Sequence, residues 1–436
     1  MKNWQEIYQR KRISLEEALT HIKSNDVIVS ALCATEPQGF LSQLHTMAPQ
    51  VENVEVYMCL PLKDYPFFTD PSYAQSFQLI SWFHSPGIRK INASGRNIPY
   101  QPNHLYLAYS DLSSWRKIDV FVGSCTPPDK SGHVSLSCSL PYEREALENA
   151  KLVILEVNEN LPRTLGDTHV RVDQADFFYE NHAPIPSIPT LPPTEKDLLI
   201  GNYCADLIED GSTLQIGIGG IPSACSMALI DRKKKHLGVH SEMLVDAMVD
   251  LYEAGVIDNS HKTLYKNKFI ASFALGSNKL YDFIHDNPAV EIHRGCWVVD
   301  PAVLRRNHKM VSINTCIMVD LSGQVASETI GPVQYSGTGG QFATHTGARE
   351  GKGGKGILTC YATGGKDGRH SSIVPLLPQG SAVTTHRSTV DYVVTEYGVA
   401  ALRGRDVKRR ALALIDVAHP QIRPKLREQA KKYNFI

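Results

Sequence analysis

Residues 183–195 read APIPSIPTLPPTE. Five prolines in thirteen residues cannot form a helix or a central strand, because each fixes φ and removes a backbone donor. The run therefore predicts a linker, with one domain over 1–185 and a second over 186–436. Each half is long enough to bury its own core.

The halves share an order of motifs. DVIVSALCATEPQGFLSQL (26–44) and DGSTLQIGIGGIPSACSMAL (210–229) both read as strand, turn with proline, then helix. DKSGHVSLS (129–137) and DLSGQVASE (320–328) share D-x-S-G-x-V. LVILEVNENLPR (152–163) and YVVTEYGVAALR (392–403) each read as a buried strand with Glu at its end. Apolar strands alternating with amphipathic helices predict two tandem open α/β domains with mostly parallel sheets. The last two matches start 23 residues apart in the first half and 72 apart in the second. That excess holds most of the glycine-rich run 331–368, which reads as an insertion anchored by ILTCYA and SIVPLL.

Two short stretches carry chemistry. In LQIGIGGIPSACSMALI (214–230) a strand ends in glycines and a helix follows, so backbone N–H groups would face a ligand at a strand end. Pro222 stands where a dinucleotide fingerprint needs its third glycine, and no G-K-[ST] follows. In HLGVHSEMLVDAMVDLYEAGVI (236–257), Leu244, Met248 and Leu251 predict a helix from about Met243 to Ala254 after a short strand at Leu237–His240. Glu242 then falls on the turn between them. An acid there suits a helix N-terminus. It also suits a nucleophile, since a carboxylate beside backbone donors can attack an activated acyl carbon.

Composition removes other classes. Formal net charge is zero, against nucleic-acid or membrane-surface binding. Nine scattered cysteines lack any C-x-x-C pair, and seventeen histidines form no H-E-x-x-H, so no metal is implied. The amphipathic N-terminus lacks the apolar core of a signal peptide, and a cytoplasmic protein is expected.

The chain resembles the acetyl-CoA hydrolase/transferase family, nearest its 4-hydroxybutyrate and butyrate:acetate CoA-transferase branch. ATEPQGFLSQL, DKSGHVSLS, GDTHVRVDQADFFYE (166–180), GIGGIPSA (217–224), GVHSEMLVDAMVDL (238–251), SGTGGQF (336–342), SSIVPLL (371–377) and VDYVVTEYGVAALRG (390–404) carry the likeness in family order. The resemblance implies two ribose-phosphate-isomerase-like domains with the site between them, in a homodimer or larger assembly. It implies acyl-CoA and a short-chain carboxylate as substrates, with no tightly bound cofactor. It puts the catalytic glutamate at Glu242, the CoA-binding turn at Gly217, Ile218, Gly219, Gly220 and Ile221, and oxyanion donors at the N–H groups of Ile218 and Gly340. An acyl-CoA hydrolase on the same fold is the alternative; a sugar-phosphate isomerase would need a general base and a phosphate cradle and no CoA-length cleft, and a CoA sensor would have no use for the nucleophile. Relatives usually follow G-G-[QS] with Asp-Phe and an Arg, where this chain has Gln341-Phe342-Ala343-Thr344-His345-Thr346. Thr363 replaces a frequent Lys, leaving Lys366 or Arg369 as candidates for a CoA phosphate. Ala34–Gln38 and the turn around Gln341–His345 are candidates for the acyl pocket.

Overall fold

The computed structural model describes residues 3–189, 192–365, 368 and 370–436. Two compact units emerge, Met1–Ile188 with Ala271–Trp297, and Pro189–Ile270 with Val298–Ile436. The division follows the proline-rich run to within three residues of the expected 185/186 boundary. It differs at 271–297, which no composition shift marks and which packs with the first unit.

The first unit is built on six parallel strands: β1 (Val27–Ser30), β2 (Val54–Cys59), β3 (Phe77–Phe83), β4 (Val120–Cys125), β5 (Leu152–Val157) and β6 (Phe177–Glu180), in the order β3-β2-β1-β4-β5-β6. β1 and β4 are buried along their whole length, as expected for parallel strands covered on both faces. Ile28, Val56, Val120, Val122 and Ile154 from the sheet pack with Phe40 and Leu41 of helix α1 (Gln38–Gln43). Helix α2 (Glu143–Asn149) leads into β5.

The second unit repeats this plan. β7 (Thr213–Ile216), β8 (Gly238–Leu244), β9 (Met310–Thr315), β10 (Lys355–Thr359) and β11 (Tyr392–Thr395) take the order β11-β10-β9-β7-β8, parallel where their registers are defined. That is the order β6-β5-β4-β1-β2 of the first unit. β12 (Gly398–Ala401) adds an antiparallel edge. Helix α3 (Glu195–Leu207) starts with a capping box between Thr194 and Asp197; α4 (Gly220–Asp231) follows β7, α5 (Asp246–Glu253) follows β8, and α6 (Gln341–Glu350) leads into β10. No described helix is long and apolar enough to cross a membrane.

Two of the three motif matches occupy equivalent places. The D-x-S-G turns are the same device: Asp129 Oδ1 accepts the N–H groups of Ser131 and His133 at 2.8 and 3.0 Å, and Asp320 Oδ1 those of Ser322 and Gln324 at 2.9 and 3.0 Å. The third match does not hold. Leu152–Val157 is β5, whose counterpart is β10, whereas Tyr392–Thr395 is β11, the counterpart of β6. Fully buried parallel strands read alike, so resemblance between two of them does not fix their positions. The glycine-rich run is accordingly not one insertion, since it contains α6 and β10.

Candidate active site

The second sheet reverses direction between β7 and β9, the kind of switch point where open α/β sheets leave a crevice at the strand ends. β7 runs into Gly217-Ile218-Gly219, and α4 begins at Gly220. Gly219 holds φ at +117°, a conformation that an L side chain rarely adopts. Ile218 is 41% exposed. A cleft of about 280 Å³ opens here, lined by Asp197, Ile218–Pro222, Thr315–Ile317, Cys360, Tyr361, Gly364 and Ser372. Ile218, Gly219, Gly220 and Ile221 of the expected turn line this cleft, and Gly217 does not. Asp197 Oδ1 accepts the Tyr361 hydroxyl at 2.6 Å, fixing that ring in the opposite wall.

Glu242 enters from β8. The strand continues through Leu244, so Glu242 lies on the strand and not on a turn, and α5 starts only at Asp246. Leu244 belongs to the apolar series that suggested a longer helix, but it is buried as a strand residue. Glu242 is half-buried, and its carboxylate accepts a hydrogen bond from the Gly340 N–H. Burial pushes its carboxyl up to about 7, against the opposing pull of that bond. Gly340 is the N-cap of α6, and a Cβ there would fall within the Glu242 carboxylate. Only glycine permits this approach. The structure thus joins Glu242 to Gly340 and places Ile218 two residues beyond the end of β7, the strand next to β8.

A polar cluster missed in the sequence braces this region. Gln215 Oε1 on β7 accepts from Ser312 Oγ at 2.6 Å and Asn314 Nδ2 at 3.3 Å, both on β9. Asn314 Nδ2 also reaches Thr344 Oγ1 of α6 at 3.1 Å. The available signal was the Gln, Ser and Asn interrupting otherwise apolar strands in LQI and VSINT, because buried polar groups need partners.

Gln341–His345 is not a turn but the start of α6. His345 is buried, its Nε2 accepts the Asp391 N–H at 3.2 Å, and burial depresses its imidazolium to about 3. It packs as a neutral core residue. Cys33–Thr35 forms a buried single turn in the first unit. Thr363 begins a short hairpin pairing with Ser371, while Lys366 and Arg369 lie outside the described residues.

The structure is two related α/β units, the second carrying a glutamate carboxyl against a helix-capping glycine. The chain belongs to the acetyl-CoA hydrolase/transferase family: its N-terminal domain model matches residues 1–189 and its C-terminal domain model residues 276–430. It is 42% identical to the 4-hydroxybutyrate coenzyme A transferase of Clostridium kluyveri, over 98% of this chain and 99% of that one. RipA from Yersinia pestis superposes with a TM-score of 0.93 at 31% identity over the whole of both chains. The 4-hydroxybutyrate CoA-transferase of Porphyromonas gingivalis superposes with a TM-score of 0.84 at 33% identity, over 99% of this chain and all of that one.

Proposed function

We propose that this enzyme moves CoA between a short-chain acyl-CoA and a free carboxylate such as acetate, butyrate or 4-hydroxybutyrate, with Glu242 as the nucleophile. The single observation carrying the reading is the Glu242 carboxyl held against the N–H of Gly340, the N-cap of α6. The relatives named as 4-hydroxybutyrate CoA-transferases support the substrate class.

The carboxylate of Glu242 attacks the thioester carbonyl, the C–S bond breaks, and CoA thiolate leaves an acyl-glutamyl anhydride. A thiol of pKa about 8.5 makes this departure feasible without a metal. The thiolate then attacks the glutamyl carbonyl carbon, the bond from that carbon to the bridging oxygen breaks, and the first acid leaves as its carboxylate, giving a glutamyl-CoA thioester. The second carboxylate reverses both steps. Ile218 and Gly340 N–H groups hold the tetrahedral oxyanions. Gly340 already donates to Glu242, so it serves the intermediate at the glutamyl carbon most directly. CoA is substrate, no tightly bound cofactor is needed, and a cytoplasmic homodimer or larger assembly completes the reading.

Transfer requires glutamyl-CoA to outlive attack by water. Butyryl-CoA is therefore expected to give acetyl-CoA when acetate is present, with little free thiol when it is absent. Equal thiol release in both conditions, with no acetyl-CoA formed, makes the enzyme a hydrolase. Mass spectrometry after mixing with acyl-CoA alone should find CoA on the peptide 236–257.

A further inference from the structure

In the first unit, a side chain fills the place that corresponds to the oxyanion donors of the second. Leu32 lies two residues beyond β1, as Ile218 lies two beyond β7. Tyr142 is the N-cap of α2, as Gly340 is of α6. The N–H groups of Leu32 and Tyr142 both donate to one carboxylate, at 3.0 Å to Glu143 Oε1 and 2.9 Å to Oε2, and Ser139 Oγ adds a third bond at 2.7 Å. Glu143 is the first residue of α2. The chain thus contains its own demonstration that this donor pair accommodates a carboxylate.

The first residue of α6 is Gln341. It has the same length as glutamate but is neutral, and one of its two polar ends donates. It is 8% exposed, and its Nε2 is buried without a hydrogen-bond partner among the described residues. A buried amide N–H without an acceptor is unfavourable and calls for an explanation. An arriving oxygen supplies one. Glutamate at this position would do the reverse: it would seat on the donors, as Glu143 does, and set a second negative charge beside Glu242.

We propose that Gln341 is a further catalytic residue: it does not seat on the Ile218 and Gly340 donors as Glu143 seats on Leu32 and Tyr142, which leaves Gly340 to Glu242, and it gives its side-chain N–H as a third donor to the reacting carboxyl oxygen. The inference rests on Glu242 being the nucleophile. Two variants test it. Gln341→Met keeps the length and loses the donor. It should lower kcat by roughly 10²-fold, the scale for removal of one oxyanion donor, while KM for acyl-CoA stays within about threefold because the loss falls on the transition state. Gln341→Glu should fold, abolish the glutamyl-CoA adduct at pH 7 and move the acid limb of kcat/KM upward. Thermal melting checks folding of both; if Gln341→Met does not fold, the pH limb of Gln341→Glu decides. Wild-type kcat in a folded Gln341→Met, or an unmoved acid limb with normal adduct yield in Gln341→Glu, overturns the proposal. Glu242→Ala run in parallel separates the failures: an active Glu242→Ala breaks the reading of the site itself, whereas an inactive one beside a fully active Gln341→Met breaks only this assignment.

Discussion

The two units finish the same strand order in opposite ways. At the carboxyl ends of the first sheet, buried carboxylates consume the backbone donors. Glu143 takes Leu32 and Tyr142. Glu156, at the end of β5, takes the first amides of α1, Gln38 and Gly39, at 3.1 and 2.7 Å, together with the Tyr179 hydroxyl at 2.6 Å. Glu36 takes the Leu62 N–H and the Tyr65 hydroxyl, both at 2.8 Å. By strand register, Thr359 stands in the second unit where Glu156 stands in the first, and Gln341, like Glu143, is the first residue of the helix leading into that strand. The second unit therefore leaves its turn open to a cleft. Its carboxylate comes instead from β8, where Glu242 corresponds to Cys59 of β2. In the first copy one carboxylate takes both the Leu32 and Tyr142 donors; in the second, Gly340 donates to Glu242 instead, and Glu396 takes the Ala362 N–H at 2.7 Å.

The sharpest way to break this contrast is to exchange the consequences of the two positions. Glu242→Ala should bring transfer to background with folding intact, whereas Cys59→Ala should leave the rate within a few-fold. Acyl exchange between butyryl-CoA and acetate measures both. Comparable losses in the two variants would mean that the first unit carries chemistry as well.

Gly340→Ala comes next. A Cβ there cannot coexist with the present position of the Glu242 carboxylate. Alanine keeps the N–H, so the effect comes from displacing the carboxylate, and a fall in kcat of roughly 10²-fold is expected, the scale for a reacting group misplaced by about 1 Å. Near-full kcat in a folded variant would show that this approach is not used in the reaction.

Legibility in the sequence follows the same division. The proline-rich run, the tandem strand–helix plan and the glycine turn after β7 were readable, because each depends on local backbone chemistry: missing N–H groups and glycine conformations. The plugs were not. That Glu143 and Gln341 hold equivalent places follows only once β5 is paired with β10, and the misleading likeness of Leu152–Val157 to Tyr392–Thr395 pointed to the wrong strand. The true extent of β8 was hidden for a related reason. Leu244, Met248 and Leu251 sit at helical spacing, but sheet pairing claims the first of them. The core role of His345 depends on Asp391, far along the chain, and no local pattern announces it.

A pH profile sharpens the contrast further. As the proposed nucleophile, Glu242 would attack only as the carboxylate. With its carboxyl raised by burial to about 7, the acid limb of kcat/KM should fall near pH 7, with a tenfold loss per unit below it. An ordinary glutamate near 4.3 would leave the rate flat from pH 5 to 8. A flat profile would show that Glu242 is not shifted in the working enzyme.

The smallest effect belongs to the first unit and concerns stability alone. Burial raises the Glu36 carboxyl to about 8, above the ordinary range, despite its two hydrogen bonds. A raised folded-state pKa means that the unfolded chain loses this proton first as pH rises. The group's contribution to stability is therefore full below the unfolded value near 4.3 and declines as pH climbs towards 8. Glu36→Gln removes that titration. Its Nε2 cannot accept, so it leaves one of the two donors unpaired, at a cost of about 1–3 kcal/mol. The variant should melt below wild type at pH 5, with the gap narrowing towards pH 8. A gap that stays constant from pH 5 to 8 would mean that Glu36 titrates as it does in the unfolded chain.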